Sequence, residues 1–235
     1  MPFADDNSVV DREAAYLAGL GWYGKNANLL VPGAGSWFAL GCVVTTAPLP
    51  PSAAPQPDGC GTCRRCLDAC PTGAIIAPGV VDGARCLAWV LQKPGSIPAD
   101  LRAAVGDRLY GCDDCQEACP PAVRFGPRHL ATPAGGAGEV RAWYSLLALL
   151  EGSDDEVMGL WGRRYLADRD PRWVRRNALV ALGNGAAAEV ADGTEHGARI
   201  RAVLARYRVH PDPVLREHAD WAARRLGLPE PITPQ

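Results

Sequence analysis

Apolar residues in the C-terminal third recur every three or four positions. This spacing predicts helices at Val140–Leu150, Asp155–Tyr165, Pro171–Leu182, Arg199–Tyr207 and Pro213–Leu226. Two of these segments open with Asp-Pro, an N-cap followed by proline at the first helical position, and each ends on glycine: Asp170–Gly183 and Asp212–Gly227. Their offset of about forty residues is typical of HEAT-like helical pairs. We therefore predict HEAT-like repeats over residues 139–235, the alternative being a small bundle that only supports the rest of the chain.

The N-terminal fifty residues mix helical and strand patterns. A helix is expected at Val9–Leu20, with Ser8 as its N-cap. The stretch Gly19–Lys25 is too rich in glycine for a helix and suits either a backbone that approaches a large ligand or a helix end and turn. Asn28–Val31 reads as a short strand and Pro32–Gly35 as a turn. The apolar, branched and aromatic run Ser36–Thr46 predicts a buried strand, giving an α/β segment over residues 1–50.

The middle of the chain shows only short elements. A proline-rich connector, Pro48–Asp58, leads into residues 51–126. We expect a turn and short strand at Gly73–Val81, followed by helices at Ala84–Leu91 and Pro98–Val105. A Gly/Pro-rich linker is expected at Arg124–Gly138.

Nine cysteines supply the candidate chemistry. Cys60–Pro71 has the spacing C-x2-C-x2-C-x3-C-P, in which three thiolates hold one iron–sulfur cluster and the fourth reaches a second. A later run, Cys112–Pro120, lacks the first cysteine of such a triplet, and Cys86 is placed to supply it. This assigns Cys60, Cys63, Cys66 and Cys119 to one [4Fe–4S] cluster and Cys70, Cys86, Cys112 and Cys115 to the other.

Two other uses of these cysteines fit less well. An odd count of nine is a poor match to disulfides. Four thiols packed into Cys60–Cys70 are too crowded for one tetrahedral zinc ion. Cys42, in the apolar run, is expected to be a buried small hydrophobe.

Charge is unevenly distributed along the chain. The 235 residues carry a net charge of −2, yet residues 159–227 contain thirteen Arg and no Lys against eight acidic residues. Arginine suits bidentate contacts to phosphate, although solvated helix faces with local ion pairs would give the same composition. The candidate phosphate contacts are Arg172, Arg175, Arg176, Arg216, Arg224 and Arg225. No apolar run reaches membrane-spanning length, and free thiols with oxygen-sensitive clusters point to the cytoplasm.

Several motifs together closely resemble the epoxyqueuosine reductases. They are Gly19–Lys25, Gly35–Gly41, Cys60–Ile75 and Arg108–Gln116, the last containing Tyr-Gly-Cys-Asp-Asp-Cys-Gln. The resemblance implies a cytoplasmic enzyme with cobalamin and two [4Fe–4S] clusters that reduces the epoxide of epoxyqueuosine in tRNA to an alkene. It also implies an α+β architecture: the C-terminal part of a cobalamin-binding domain at 1–50, a ferredoxin-like two-cluster domain at 51–126, and the HEAT-like repeats.

Individual roles follow from the same resemblance. Asp5 corresponds to the proton donor for the epoxide oxygen, with the adjacent Asp6 as the alternative. The residues implied to line the cobalamin pocket are Leu29, Leu40, Leu87, Asp113 and Asp114. For the three leucines, an ordinary place in the core would explain the pattern nearly as well. For the Asp pair, carboxylates beside an anionic cluster need hydrogen-bonding partners, which favours contact with a ligand.

The chain departs from the family pattern at its beginning. The usual N-terminal part of the cobalamin-binding domain is missing, which suggests a fragment or a wrongly assigned start. The expected partners are tRNA and an external electron donor, and the chain itself is expected to be a monomer. A rival interpretation is an electron carrier, in which two clusters serve a partner docked on the helical repeats without substrate chemistry.

The ligand assignment predicts the iron content. Anaerobically reconstituted protein should hold about eight irons per chain, because each [4Fe–4S] cluster contributes four. Cys86→Ser should alter the cluster absorbance and lower the iron content, whereas Cys42→Ser should change neither. Fewer than about eight irons in the unsubstituted protein, or an unchanged spectrum for Cys86→Ser, would contradict the assignment.

Overall fold

The structure, a computed structural model, describes residues 9–52, 54–130 and 143–229. The chain divides into two compact units, each made of two segments. The first unit comprises Met1–Asp82 and Asp113–Gly138, and the second comprises Gly83–Cys112 and Glu139–Gln235. Both units therefore take residues from the predicted ferredoxin-type segment 51–126.

Short helices and two small hairpins make up the described fold. In chain order the elements are α1 (Asp11–Leu17), β1 (Trp22–Tyr23), β2 (Leu29–Leu30), α2 (Arg65–Ala69), β3 (Ile75–Ala77), β4 (Val80–Val81), α3 (Leu87–Val90), α4 (Ala99–Val105), α5 (Asp114–Glu117), α6 (Pro120–Leu130), α7 (Leu146–Glu151), α8 (Asp154–Trp161), a 3-10 turn (Ala167–Arg169), α9 (Arg172–Gly185), α10 (Ala187–Ala191), α11 (Glu195–Arg208) and α12 (Pro213–Arg225). The strands form two antiparallel pairs, β1 with β2 and β3 with β4.

The glycine-rich stretch before Lys25 is part of a hairpin. Trp22 pairs with Leu30 and Tyr23 with Leu29. A Cβ at Gly21 would lie 2.3 Å from the carbonyl oxygen of Leu30, so only glycine allows this approach of the two strands. At this position the glycine serves strand pairing.

The predicted buried strand at Ser36–Thr46 is wrong. These residues are in no strand, and Val43 and Val44 are 92% and 81% exposed. A strand requires a neighbour that accepts and donates its backbone hydrogen bonds, and no described strand runs beside this segment. Cys42 is correspondingly exposed rather than buried, with its thiol 3.6 Å from Asp11 Oδ1.

The turn that precedes this run is as predicted. Gly33 and Gly35 both have φ of +75°, and the backbone N–H of Gly35 donates to the carbonyl of Val31 at 3.0 Å. A Cβ on Gly35 would lie 2.9 Å from the Cα of Ala122, so the turn packs closely on the first turn of α6. The predicted linker from Arg124 onward is overlapped by α6, and residues 131–142 lie outside the described ranges.

The second unit is built around the helices of the C-terminal third. All five helices predicted there occur, but the first begins at Leu146, so its predicted start is wrong for residues 143–145, while residues 140–142 lie outside the described ranges. Apolar residues of α7, α9, α11 and α12 form one core that includes Leu150, Leu179, Leu204 and Ala222. Gly183 does not end α9 as predicted but lies within it. Its lack of a side chain allows Ala222 of α12 to pack directly against the α9 backbone.

A single arginine connects the starts of the two Asp-Pro helices. Asp212 accepts backbone N–H bonds from Val214 and Leu215, as predicted for an N-cap, and Asp170 accepts one from Arg172 at 2.8 Å. The guanidinium of Arg172 donates to Asp170 at 2.7 Å and to Asp212 at 3.0 Å. The two helix starts are thus held by the same charged group.

Arg176 is a fully buried clamp within the second unit. Its guanidinium donates to the carbonyl oxygens of Val90, the last residue of α3, and of Leu91, Lys93 and Gly95 in the loop that follows. Burial lowers its pKa to about 10, so it remains charged at neutral pH. Arg176 is 0% exposed, so its predicted contact with a tRNA phosphate is wrong.

His218 fixes the next part of the same loop. Its Nε2 accepts the backbone N–H of Ile97 at 3.1 Å, while Nδ1 lies 2.7 Å from the carbonyl of Val214, so the neutral ring satisfies both groups. The ring is fully buried, and this desolvation lowers its pKa to about 4.

This histidine predicts a pH-dependent free energy of unfolding. Below a pKa of 6.5 the unfolded chain binds a proton that the folded chain accepts only near pH 4, so stability should fall as the pH drops through this window. The contribution amounts to about 3 kcal/mol. Urea unfolding followed by circular dichroism should show a flatter pH dependence for His218→Gln than for the exposed control His196→Gln. Identical slopes for the two variants would contradict the assignment.

Candidate metal centre

Four cysteines assigned to one cluster line a single cavity in the first unit. Its volume is about 250 Å³, and the thiols are those of Cys60, Cys63, Cys66 and Cys119. The other lining residues are Trp22, Lys25, Asn26, Leu30, Gly59, Pro120 and Pro121. Residues far apart in the sequence therefore meet here in the grouping that the cysteine spacing predicts.

Local backbone structure presents these thiols. Cys60 and Cys63 lie on the loop before α2, where the N–H of Cys63 donates to the carbonyl of Cys60 at 3.0 Å and Gly61 has φ of +49°. Cys66 lies in α2 and Cys119 directly precedes α6. Cys119 packs with Leu30 and Ala122 in a small apolar cluster, which closes the cavity on one side.

Lys25 and Asn26 attach the β1–β2 hairpin to the cysteine segments. The ammonium of Lys25 donates to the carbonyls of Gly61 at 2.6 Å and Cys63 at 2.9 Å. The Asn26 side chain, 5% exposed, donates to the carbonyl of Cys115 at 3.3 Å. Sequence reasoning missed both residues; the available signal was Lys25, one of only two lysines in the chain, at the end of a glycine-rich motif.

Burial favours the protonated form of the two innermost thiols. Desolvation raises the pKa of Cys66, with further increases from the neighbouring thiols of Cys119 and Cys60. Desolvation likewise raises the pKa of Cys119. Metal binding at these thiols must therefore release protons.

The geometry differs from that of a compact single-ion site. Within residues 9–52, 54–130 and 143–229, no group of three or more His, Cys, Asp or Glu side chains is placed to hold one metal ion. In a [4Fe–4S] cluster each thiolate binds its own iron at a separate corner, so the four-thiol cavity suits a group larger than one ion.

The other four predicted ligands are divided between the two units. Cys70 and Cys115 belong to the first unit, and Cys86 and Cys112 to the second. Burial opposes ionisation of Cys70, yet backbone hydrogen bonds near Thr72 and Ala74, including one from the Ala74 N–H at 3.2 Å, bring its pKa below the usual value. Cys86 directly precedes α3. Their joint ligation of a second cluster stays a prediction.

The predicted cobalamin contacts lie in different settings. Leu29 is 3% exposed on β2, and Leu87 is 2% exposed in the apolar core of the second unit. Leu40 is half-buried in the unpaired segment. Asp113 already accepts a hydrogen bond from Gln116 at 2.7 Å, and Asp114 is half-buried. Core packing accounts for Leu29 and Leu87, so the described residues do not by themselves provide a fit to a corrin ring. Asp5 and Asp6 lie outside the described residues.

The arginines proposed for phosphate contacts differ in availability. Arg172 and Arg175 are engaged by aspartates, and Arg216 donates to the carbonyls of His210 and Pro211. Arg224 and Arg225 are exposed at the end of α12. These two are the most accessible of the predicted set.

Among the residues that the structure describes, no helix is both long and apolar enough to cross a bilayer.

Comparison with known proteins defines the class of the cysteine region. Residues 59–122 match the family described as a 4Fe-4S double cluster binding domain. The matched residues include the four thiols that line the cavity, and the described fold is mostly helical with two small sheets.

The particular relatives are epoxyqueuosine reductases. The chain is 40% identical to that of Burkholderia pseudomallei, covering 94% of this chain and 57% of the relative. It is 38% identical to that of Xanthomonas campestris, covering 96% and 61%. The chain is thus related to the epoxyqueuosine reductases over nearly all of its own length and spans about three fifths of theirs.

Solved structures give the same relationship. The epoxyqueuosine reductase of Bacillus subtilis, with its catalytic aspartate loop swung out of the active site, superposes with a TM-score of 0.76 at 31% identity, covering 94% of this chain and 56% of that one. A crystal structure of epoxyqueuosine reductase with an epoxyqueuosine-modified tRNA-Tyr stem loop gives a TM-score of 0.78 at 31% identity, covering 96% and 57%.

The two hydrogen bonds from Lys25 to the cysteine loop predict that the protein retains its cluster less well when they are removed. Lys25→Met keeps the length of the side chain but leaves two carbonyls of the ligand loop without their donor, at a cost of about 1 kcal/mol per hydrogen bond. We expect faster loss of cluster absorbance in air or with a chelator than in the unsubstituted protein.

The matched control is Lys93→Met, because no described residue accepts a hydrogen bond from the Lys93 ammonium. Equal loss rates for the two variants would show that the hydrogen bonds from Lys25 do not support the centre.

Proposed function

We propose that this protein is an epoxyqueuosine reductase, which converts the epoxide of epoxyqueuosine in tRNA to the alkene of queuosine. The observation that carries the proposal is the four-thiol cavity in a chain related over 94% of its length to enzymes of that name. An iron–sulfur centre of this kind supplies single electrons, as a reductive deoxygenation requires.

The proposed reaction consumes two electrons and two protons. Both carbon–oxygen bonds of the epoxide break, a carbon–carbon double bond forms, and the oxygen leaves as water. The electrons come from an external reductant and reach the substrate site through the clusters. We assign one cluster to Cys60, Cys63, Cys66 and Cys119, and on sequence spacing the other to Cys70, Cys86, Cys112 and Cys115.

Cobalamin is the further cofactor that the resemblance of the sequence motifs implies. When bound, its cobalt would supply a strongly reducing, nucleophilic centre. The residues assigned to it remain Leu29, Leu40, Leu87, Asp113 and Asp114. Core packing alone accounts for the buried leucines among them.

Asp5 is the proposed proton donor to the epoxide oxygen. A carboxylic acid can hold its proton near neutral pH only where desolvation raises its pKa, as in a closed apolar pocket. A catalytic aspartate on a loop is named for the Bacillus subtilis relative, which supports an acidic residue in this role.

The substrate is proposed to be the anticodon stem loop of tRNA. A relative has been crystallised with a modified tRNA stem loop, and Arg224 and Arg225 offer exposed charge for phosphate contacts. We place the enzyme in the cytoplasm as a monomer that takes electrons from an external donor.

Substitution of the two neighbouring aspartates tests the assignment. With cobalamin, a chemical reductant and an epoxyqueuosine-containing stem loop, the anaerobic protein should form queuosine, detected by mass spectrometry as the loss of one oxygen. Asp5→Asn should lower the rate by at least about 10²-fold, because a positioned acid contributes that much, while iron content stays unchanged. Asp6→Asn is the matched control and should retain activity.

Two results would count against the proposal. Full turnover by Asp5→Asn would remove the donor role. Intact clusters with no queuosine from the unsubstituted protein would favour the rival electron carrier.

A further inference from the structure

The indole N–H of Trp22 is a buried donor without an acceptor. No described residue accepts a hydrogen bond from its Nε1. Trp22 lines the same cavity as the thiols of Cys60, Cys63, Cys66 and Cys119. Because buried donors are normally paired, an unpaired one on the wall of a proposed cofactor cavity points to an acceptor on the cofactor itself.

The position of the ring is fixed by its neighbours. Trp22 is held in β1 by its pairing with Leu30, which also lines the cavity. Gly59 packs closely against the indole: a Cβ there would be 2.7 Å from Cζ2 and 2.8 Å from Cε2, the carbon bonded to Nε1. Gly59 directly precedes Cys60, so the ring packs on the loop that carries the first two thiols.

We propose that Trp22 donates its indole N–H to a sulfur of the cluster held by these four cysteines and thereby raises the reduction potential of that cluster. Reduction adds negative charge to the sulfurs, and a donated hydrogen bond stabilises the reduced form more than the oxidised form. Trp22 would affect electron transfer only through the reduction potential of the cluster. The inference rests on the proposed ligand set and extends it to a residue that binds no iron.

Trp161 provides a matched control. Its Nε1 is also buried and lacks a partner among the described residues, but its ring lies in the core of the second unit, near Tyr110 and Tyr144. Trp→Phe at either position removes one unpaired indole N–H. Only Trp22 lines the cysteine cavity.

The first experiment measures reduction potentials of the anaerobically reconstituted full chain. In an EPR-monitored titration, Trp22→Phe should shift the potential of one cluster to a more negative value and leave the other unchanged. Trp161→Phe should shift neither. An unchanged potential in Trp22→Phe, or a shift to a more positive value, would overturn the proposal.

A second measurement needs no substitution to give its main result. In protein with an isotope-labelled indole nitrogen, pulsed EPR of the reduced state should show magnetic coupling to one tryptophan nitrogen. The coupling should persist in Trp161→Phe and weaken in Gly59→Ala, whose methyl group displaces the Trp22 ring. A reduced cluster without coupling would overturn the role of Trp22, including the case in which water accepts the N–H. Protein without iron at these four thiols would instead contradict the ligand assignment.

Discussion

Convergence of four thiols on one small cavity is the constraint on which the first unit depends. Three of the thiols come from one short segment, but Cys119 arrives from a distant part of the chain and must be held against them. The β1–β2 hairpin does this by binding both sides, since Lys25 donates to the loop of the first cysteines and Asn26 to the carbonyl of Cys115. A hairpin with two residues in each strand would be only marginally stable alone, so the hairpin and the cysteine segments that it contacts stabilise one another.

In the second unit, buried polar side chains hold an irregular loop, the segment between α3 and α4. The carbonyls at the end of α3 and just after it are buried, where unpaired acceptors would be costly, and Arg176 donates to them with one guanidinium. His218 does the same for the N–H of Ile97. These interactions take the place of the water that a surface loop would use, so α9 and α12 support the segment beginning at Cys86 in addition to its own backbone hydrogen bonds.

The sequence was sufficient where the signal is local. Helical periodicity found α7, α8, α9, α11 and α12, because that pattern arises from neighbouring positions. Cysteine spacing grouped the thiols that share a cavity, because Cys119 stands in a second run whose spacing completes the first. Prediction from the sequence failed where the conformation or burial of a residue depends on partners elsewhere in the chain. Ser36–Thr46 has the composition of a buried strand but no described strand to pair with, and Arg176 looks like any surface arginine until the loop that it binds is known. The glycine-rich motif marked Lys25 itself, but its acceptors could not be predicted because they are backbone carbonyls of a distant loop.

The unpaired run at Ser36–Thr46 has a consequence for the behaviour of the chain in solution. It contains no charged residue, and Val43 and Val44 project into solvent. Uncharged, β-prone ribbons with free backbone groups tend to add to any available strand edge, including that of another copy. At high protein concentration this segment should therefore promote association between copies of the chain through backbone pairing.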